Sequence, residues 1–394
     1  MTPAARVQAA IELLDEIIAA AQSSGPAADT LIKRYFAERR YAGSKDRRAV
    51  RELVYAAIRR YGTPPHDGRA AMVGLTQDRP ELQDAFDGSR YGPPPIAENE
   101  VGALQSGLPE WLRARFADAI DDADIASLSG RAPLDIRVNL EKIDRDTVMA
   151  ALDDAEAGSL SDTAVRLPQG FPVEQHALWR DGLVDIQDEG SQYIVDCCDA
   201  RPGMTVVDLC AGAGGKTLAL YDRMAGKGRL IACDTDRKRL SRLEPRAQRS
   251  GIGTIETRFL NPGRESEALA DLADQADIVL VDAPCSGTGT WRRNPEARWR
   301  LTEAAIQRFA DTQRHLLETA APLVKPGGFL VYAVCSLLAE EGDGQIAHFL
   351  QSRSDFSKVP PASRKGAESQ AGLVLTPARH GTDGFFFARL QRSC

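Results

Sequence analysis

The sequence predicts an α/β protein in which a doubly wound, mostly parallel sheet is preceded by an all-α domain and a small α+β module. Two observations lead to this fold class. From Thr205 onward, apolar runs of strand length alternate with segments of helical periodicity, and this alternation is typical of parallel sheets. Before residue 126, apolar residues recur at helical spacing. We therefore expect domains at 1–125, 126–185 and 186–394.

The first predicted domain is a bundle of helices. Apolar residues recur at three- and four-residue steps in segments 7–18 and 50–58, as they do on the buried face of a helix. Asp46 lies just before the second segment, where it is expected to cap the helix. Prolines interrupt the chain between 64 and 95, and a weaker helical pattern covers 110–120.

The second predicted domain, 126–185, combines strands with a helix. Leu134–Val138 and Ala164–Leu167 are predicted strands, and 144–157 is a predicted helix that begins near Asp144.

The third predicted domain alternates strands and helices. Ile278 to Val281 form a continuous apolar run, which suits a strand that is covered on both faces. Near the end of the chain, two further strands are expected to close one edge of the sheet. The predicted helices are 186–200, 216–224, 237–249, 301–323 and 340–350, and the predicted strands are 205–210, 229–233, 277–282, 329–335, 373–377 and 381–387.

Composition excludes several classes of protein. The chain is 43% hydrophobic and 27% charged, as is ordinary for a globular protein. No apolar run approaches the roughly 18–20 residues that span a bilayer, and acids stand where a signal peptide would be apolar. We therefore expect a cytoplasmic protein. The seven cysteines are scattered without a C-x-x-C pair, so a disulfide framework and a metal site are both unexpected.

Positive charge is concentrated locally, although the whole chain has a net charge of −7. Segment 31–60 holds ten basic and three acidic residues, segment 237–249 six and one, and segment 292–314 six and three. Any one of these segments is equally consistent with a solvated helix face. Three basic segments on an acidic protein indicate a binding surface for a polyanion.

Two thiols and an acid stand at or just after the ends of predicted strands. The strand at 277–282 ends in Asp282-Ala-Pro-Cys285, and the strand at 329–335 ends in Cys335-Ser336. Open parallel sheets bind ligands at the carboxyl ends of their strands. Asp282, Cys285 and Cys335 are therefore expected to lie in one site.

The loop DLCAGAGGKT at 208–217 admits three interpretations. A P-loop requires glycine at the position of Cys210, and a dinucleotide fingerprint requires its third glycine at Thr217. The third interpretation is an S-adenosylmethionine site, in which glycines let the backbone approach the ligand. Asp234, at the end of the next strand, would then bind the ribose hydroxyls.

Four motifs together resemble the RNA (cytosine-5) methyltransferases of the Sun/Nop/Rsm type over about residues 130–392. These are DLCAGAGGKT (208–217), DAPCS (282–286), KPGG with CS (325–328 and 335–336) and GTDGFFFA (381–388). The N-terminal DRRAVRELVYAAIRR resembles the NusB-type RNA-binding domain of the bacterial RsmB-like enzymes that methylate 16S rRNA. The segment at 131–192 resembles the small RNA-contacting module that precedes the catalytic domain in this family.

The resemblance implies S-adenosylmethionine as cofactor and RNA as partner. We expect a monomer. It implies Cys335 as the nucleophile that adds to C6 of cytosine, Cys285 as the thiol that assists release, and Asp282 as the acid near N3. Two positions depart from the family pattern, Ala213 for proline and Asn261 for an aspartate. The implied cofactor-binding residues are Asp208, Cys210, Ala211, Gly212, Ala213, Gly214, Gly215, Lys216, Asp234, Asn261 and Asp282.

Some alternatives stay open at this point. The thiol roles are exchanged in DNA cytosine methyltransferases, where the Pro-Cys cysteine is the nucleophile. The same chemistry could act on tRNA, and a non-catalytic RNA-binding assembly factor could keep the fold. Trp291 and Trp299 lie beside arginines, where they either stack on bases or pack internally. Cys197, Cys198 and Cys233 are expected to be buried structural residues.

Overall fold

Helices form the first of two units into which the chain divides. The computed structural model describes residues 1–23, 25–253, 255–361 and 363–394. The first unit comprises Met1–Arg115 with Thr290–Thr302, and the second comprises Phe116–Gly289 with Glu303–Cys394. The helices of the first unit are α1 (Pro3–Gln22), α2 (Ala28–Glu38), α3 (Ser44–Arg60), α4 (Gly68–Leu75) and α5 (Glu110–Arg113).

Local sequence determines where α1 begins and which face it buries. Thr2 is its N-cap, because the Oγ1 of Thr2 accepts a hydrogen bond from the backbone N–H of Ala5. Pro3 follows at the first helical position, where its missing N–H costs nothing. The predicted apolar faces of α1 and α3 are confirmed, since Leu14 and Val54 are fully buried in one core.

Two expectations for this region are wrong. Asp46 does not cap α3, since the helix begins earlier, at Ser44, and the Asp46 carboxylate is bound instead by Arg6 and the N-terminal amine. The helix expected at 110–120 ends at Arg113. Beyond that point, the backbone N–H of Ala117 donates to the carbonyl of Leu337, so it cannot continue a helical hydrogen-bond pattern.

Segment Thr290–Thr302 belongs to the helical unit although it lies far along the chain. Trp299 joins the core of that unit, and its Nε1–H donates to the carbonyl of Tyr61 at 2.9 Å. Arg298 is buried and donates to the carbonyl of Ile58 at 2.7 Å. Trp291 is also buried. Both tryptophans therefore pack internally, and part of the third basic segment is structural rather than exposed.

The α+β module begins the second unit. Its strands are β1 (Leu134–Val138), β2 (Glu156–Ala157), β3 (Ala164–Leu167) and β4 (Val184–Ile186), antiparallel in the order β2-β3-β1-β4. Its helices are α6 (Asp122–Ser127), α7 (Arg145–Ala150) and α8 (Ala177–Arg180).

The predicted helix of this module is confirmed at its start and wrong at its end. Asp144 is the N-cap of α7, accepting a hydrogen bond from the backbone N–H of Thr147. The helix ends at Ala150 rather than at 157. Asp154 then takes a left-handed backbone conformation, with φ 54°, and residues 156–157 pair with β3.

The large sheet of the second unit confirms the predicted fold class. Its strand order is β11-β12-β13-β9-β8-β5-β6-β7, with β10 paired to β13. The core from β7 to β9 is parallel, and the last strands close one edge in antiparallel fashion. The strands are β5 (Thr205–Asp208), β6 (Arg229–Asp234), β7 (Glu256–Phe259), β8 (Ala276–Asp282), β9 (Val324–Val334), β10 (Phe356–Lys358), β11 (Ala367–Glu368), β12 (Leu373–Leu375) and β13 (Phe385–Arg392).

The helices of this part follow the predicted alternation with one break. The predicted helix at 237–249 is divided in two, because Pro245 in the first turn of the second piece lacks the N–H that a continuous helix would need. The helices are α9 (Glu189–Cys198), α10 (Gly215–Arg223), α11 (Arg237–Leu240), α12 (Leu243–Ser250), α13 (Glu265–Ala268), α14 (Glu303–Ala320), α15 (Asp343–Ser352) and α16 (Pro377–His380).

The topology of the sheet decides where the site lies. From β5 the chain runs outward through β6 and β7, and it then returns to place β8 on the other side of β5. This reversal is a switch point, and ligands bind outside the strand ends at such a point. The ends of β5, β6, β8 and β9 carry Asp208, Asp234, Asp282 and Cys335. In the described ranges, no helix is both long enough and apolar enough to cross a membrane.

Candidate active site

The loop between β5 and α10 depends on glycine. Gly214 is the N-cap residue of α10 and has φ 87°. A Cβ at this position would lie 2.0 Å from the Cδ1 of Leu243. The left-handed backbone and the close leucine together favour glycine here. Gly212 has φ 57° and is the second turn point of the same loop.

Asp208 ends β5 as a buried carboxyl group. Its Oδ2 accepts a hydrogen bond from the Oγ1 of Thr217 at 2.7 Å, whereas its buried Oδ1 has no hydrogen-bond partner among the described residues. Burial raises the pKa of Asp208 to about 7, and the nearby charge of Asp282 adds to that rise. The structure therefore holds at the switch point a buried carboxyl group whose Oδ1 has no partner within the described part of the chain.

Asp234 ends β6 and is oriented by backbone N–H groups. Its Oδ2 accepts from Gly212 at 2.7 Å, and its Oδ1 accepts from Asp236 at 2.6 Å. The first of these bonds ties the carboxylate to the glycine loop. The carboxylate that was predicted to bind ribose is therefore fixed in position by the neighbouring loops.

One cavity of about 580 Å³ opens beside these carboxylates, entirely within the second unit. Gly212 and Gly214 shape the glycine loop but do not line the cavity. Asn261 is exposed and does not line the cavity either, since the wall beside it is formed by Leu260, Pro262 and Glu265. The predicted residues that do line the cavity are Asp208, Cys210, Ala211, Ala213, Gly215, Lys216, Asp234, Asp282, Cys285 and Cys335.

The two predicted thiols meet in this cavity. The Sγ atoms of Cys285 and Cys335 are 3.3 Å apart. The hydrogen bond with Cys335, together with burial, raises the pKa of Cys285 well above its ordinary value. Both causes favour the protonated form of Cys285. Cys197, Cys198 and Cys233 are buried away from the cavity, as expected.

Lys216 and Asp282 form an ion pair beside the thiols. The Nζ of Lys216 lies 2.7 Å from the Oδ2 of Asp282, and the lysine is 9% exposed. Burial lowers the pKa of Lys216, but the charge and hydrogen bond of Asp282 more than offset this effect, so the pKa is raised overall. Cys335 is also close enough to Lys216 to contribute to that rise. Lys216 is therefore a buried cation of the site and not a solvated charge.

Glu341 joins the two loops that carry the thiols, and no pattern in the sequence predicted it. Its fully buried carboxylate accepts from the backbone N–H of Ser286 at 2.9 Å and also from the Ser286 hydroxyl. The same carboxylate accepts from the Ser336 hydroxyl at 2.5 Å. Glu341 thus holds the residue after Cys285 and the residue after Cys335 in one network.

Gln313 completes this network from α14. Its Nε2 donates to the carbonyl of Pro284 and to the Oε1 of Glu341, both at 3.0 Å. Nothing in the sequence distinguishes Glu341 from the adjacent Glu340, and Gln313 lies within an ordinary helical repeat. Their role depends on chain segments that meet only in the folded protein. In the described part of the chain, no cluster of His, Cys, Asp or Glu side chains could hold a metal ion.

Comparison with known proteins identifies the family of this chain. The family described as 16S rRNA methyltransferase RsmB/F matches residues 196–391. The ribosomal RNA small subunit methyltransferase B of Enterobacter sp. (strain 638) is 33% identical over 341 residues, which cover 83% of this chain and 78% of that protein.

Solved structures extend the likeness to the fold. The crystal structure of PH0851 superposes with a TM-score of 0.75 and 25% identity, covering 100% of this chain and 99% of that one. NSun6 from Pyrococcus horikoshii, solved with SFG, superposes with a TM-score of 0.63 over 72% of this chain and 97% of its own, and its 18% identity indicates the shared fold alone. The chain belongs to the RsmB/F family of 16S rRNA methyltransferases, and its cofactor is S-adenosylmethionine.

Proposed function

We propose that the protein methylates C5 of a cytosine in 16S rRNA through a covalent bond between Cys335 and C6. The observation that carries this proposal is the meeting of the two thiols in the cavity that the glycine loop also lines. C5 of cytosine is a weak nucleophile, and addition of a thiolate at C6 makes it reactive. A methyltransferase of another specificity has no evident need for two adjacent thiols.

The cavity has features that suit S-adenosylmethionine. The buried Oδ1 of Asp208 lacks a partner among the described residues, and a Cβ built on Gly215 would meet no atom within 4 Å. Asp234 would bind the ribose hydroxyls, and the loop at 210–215 would face the ligand through its backbone. When bound, the cofactor supplies an electrophilic methyl group.

Cys335 is proposed as the nucleophile because the resemblance to this family assigns that role to the later cysteine, and the raised pKa of Cys285 disfavours that thiol as the attacking group. Its thiolate adds to C6, forming the S–C6 bond and placing the electron pair of the C5–C6 double bond at C5, which then takes the methyl group. Addition at C6 develops negative charge at N3, and Asp282 is proposed to stabilise this charge by donating a hydrogen bond to N3 from its protonated form. Lys216, 2.7 Å from Asp282, adds a positive charge beside it. The hydrogen-bonded Asp282 side chain would also orient the ring.

Cys285 is proposed to complete the reaction. Its pKa is raised largely by the hydrogen bond that it shares with Cys335, and further by burial. Once Cys335 is bonded to C6 it carries no charge, so this cause is removed and Cys285 can release its proton to solvent more readily. The Cys285 thiolate then takes the proton from C5, the double bond re-forms, and Cys335 leaves C6 as a thiolate.

RNA is the proposed partner of the exposed basic residues, and the enzyme is proposed to act as a monomer. In segment 31–60, the side chains of Arg34, Arg40, Lys45, Arg47 and Arg48 are at least partly exposed. Contacts of such residues with phosphates weaken as salt rises. The target cytosine must leave its stack to enter a cavity of this kind, which favours an unpaired nucleotide.

The test compares the parent enzyme with C285A and C335A on unmodified 16S rRNA and labelled S-adenosylmethionine. We expect C285A to accumulate a labelled protein–RNA adduct on a denaturing gel, and C335A to give neither adduct nor product. C394A removes an exposed thiol outside the cavity and should match the parent. An adduct in C335A instead would reverse the two roles. Absence of 5-methylcytosine from the parent's product nucleosides would refute the proposed reaction.

A further inference from the structure

A second cavity lies in the helical unit, and the proposed methyl transfer makes no use of it. Its volume is about 950 Å³, and it opens beside α1, the end of α2 and the loop before Gly92. We name this cavity the tyrosine cleft. Its walls include the side chains of Glu12, Tyr35, Arg39, Tyr41, Arg90 and Tyr91.

Two aromatic rings of the tyrosine cleft face solvent. Tyr41 is 75% exposed and Tyr91 is 65% exposed. In the described part of the chain, Tyr41 and Tyr91 are the aromatic residues among the exposed large hydrophobic side chains. A ring gains free energy by stacking or burial, and most of the surface of each ring stays exposed within the fold. Both rings are therefore available to a partner with flat, apolar faces.

Positive charge accompanies the rings. The guanidinium of Arg39 lies 3.6 Å from the centroid of Tyr35, and that of Arg90 lies 5.1 Å from the centroid of Tyr91. Arg90 forms no ion pair with any described residue. The single carboxylate named in the walls, Glu12, accepts from the Tyr35 hydroxyl at 2.7 Å and contacts Arg39 at 3.4 Å. Arg39 also pairs with Glu38 at 3.8 Å, so Arg90 is the cation of the cleft with more charge to offer a phosphate.

The loop that presents Arg90 and Tyr91 is internally closed. The Oδ1 of Asp87 accepts from the backbone N–H of Ser89 at 2.9 Å, and the carbonyl of Ser89 accepts from Gly92 at 3.0 Å. A Cβ at Gly92 would lie 2.7 Å from that of Ala4, so the loop packs closely on α1. The Tyr91 ring is therefore presented from an ordered turn, which reduces the entropy cost of binding.

We propose that the tyrosine cleft binds an unpaired stretch of the RNA substrate away from the target cytosine. Unpaired bases would stack on Tyr41 and Tyr91, and the phosphates beside them would contact Arg39 and Arg90. Paired bases in a duplex do not expose their faces, which favours a single strand. The proposal rests on RNA as the substrate and is independent of the thiol chemistry.

The test measures binding of a fluorescent 12-nucleotide single-stranded RNA by anisotropy, with the parent, Y41A/Y91A and Y41F/Y91F. Loss of stacking costs about 1–3 kcal/mol per base, so the alanine pair should weaken affinity about tenfold or more. The phenylalanine pair keeps both rings and should bind like the parent. V101A/L104A removes exposed apolar side chains that do not line the cleft and should leave affinity unchanged.

Cross-linking identifies the site directly. An RNA of the same length carrying 4-thiouridine should cross-link to peptides that contain Tyr41 or Tyr91. R90A should make the slope of log affinity against log salt concentration shallower by the amount expected for about one phosphate contact. The proposal would be overturned if Y41A/Y91A bound the RNA as tightly as the parent. It would also be overturned if an acidic peptide bound in the cleft and the RNA did not displace it. This binding assay contains no S-adenosylmethionine and involves no methyl transfer, so failure of the cleft and failure of the thiol chemistry are distinguishable.

Discussion

Replacement of Glu341 tests whether its carboxylate positions the two thiols. In E341A four hydrogen bonds are lost, from the Ser286 N–H, the Ser286 hydroxyl, the Ser336 hydroxyl and Gln313. Some of these donors have other partners. The two hydroxyls lie 3.1 Å apart and can pair with each other, and Gln313 keeps the Pro284 carbonyl.

Among these four donors, the Ser286 N–H is the one that E341A leaves without another partner in the residues that the structure describes. A buried donor without a partner costs about 1–3 kcal/mol, and deletion of buried side-chain atoms adds about 1–2 kcal/mol. We therefore expect E341A to lower the free energy of unfolding by about 3 kcal/mol. Because Ser286 follows Cys285 directly, the thiol should also shift, and a shift of about 1 Å can reduce kcat about 100-fold.

E341Q separates hydrogen bonding from charge. The amide oxygen can take the place of Oε1 and accept from the Ser286 N–H and Gln313, while the amide NH₂ donates to hydroxyls that rotate to accept. We expect a loss of about 1 kcal/mol or less in stability and a kcat within about tenfold of the parent.

Urea denaturation measures stability, and single-turnover methyl transfer at saturating RNA measures the chemical step. E318A, which removes an exposed carboxylate of α14, serves as the matched control. A folded E341A with the parent's rate would refute the positioning role. Equal damage in E341Q and E341A would mean that the negative charge matters more than the hydrogen-bond geometry.

Three further predictions concern an aspartate, a glycine and the thiol pair. Burial raises the pKa of Asp208 to about 7. The contribution of this carboxyl group to folding stability is therefore present below about pH 4 and is lost as the pH rises through about 7. In D208N, the unfolding free energy measured by urea denaturation should vary less over this pH range. At Gly214 the backbone has φ 87°, and a Cβ would lie 2.0 Å from a methyl group of Leu243. G214A should therefore distort the loop and reduce the cofactor affinity measured by calorimetry. The control G203A has a similar φ of 92° but open space around the Cβ, and it should leave that affinity unchanged. The sulfur atoms of Cys285 and Cys335 lie 3.3 Å apart, so hydrogen peroxide should oxidise the pair to a disulfide. Two titratable thiols and the methyltransferase activity should be lost, and dithiothreitol should restore both. C285A should not form this disulfide.

Prediction from sequence succeeded where one short segment carries the whole signal. The run at 278–281 is fully buried in β8, as its continuous apolar character indicated. Asp208, Asp234 and Asp282 stand at strand ends because each directly follows a run of mostly apolar residues. Asp144 caps α7 through a hydrogen bond to a residue three positions away. These features depend on neighbours in the chain, which a pattern can represent.

Prediction failed where distant segments compete for the same group. Asp46 was expected to cap a helix, but Arg6 and the N-terminal amine bind it. Arg298 and Trp299 lie in a segment that suggested an RNA-binding surface, yet they are buried in the helical core and donate to carbonyls there. The chain separation between these partners is too large for any local pattern to represent.

The order of strands and helices, the α/β class, and the motifs that carry the thiols and the glycine loop were all legible in the amino-acid sequence. They depend on apolar periodicity and on residue types within short windows. Folding was needed to bring Cys285 and Cys335 to 3.3 Å, to pair Lys216 with Asp282, and to let Glu341 join both thiol loops. Hydrogen bonds and ion pairs act over a few ångströms in space, so partners dozens of residues apart are specified only once the sheet has formed.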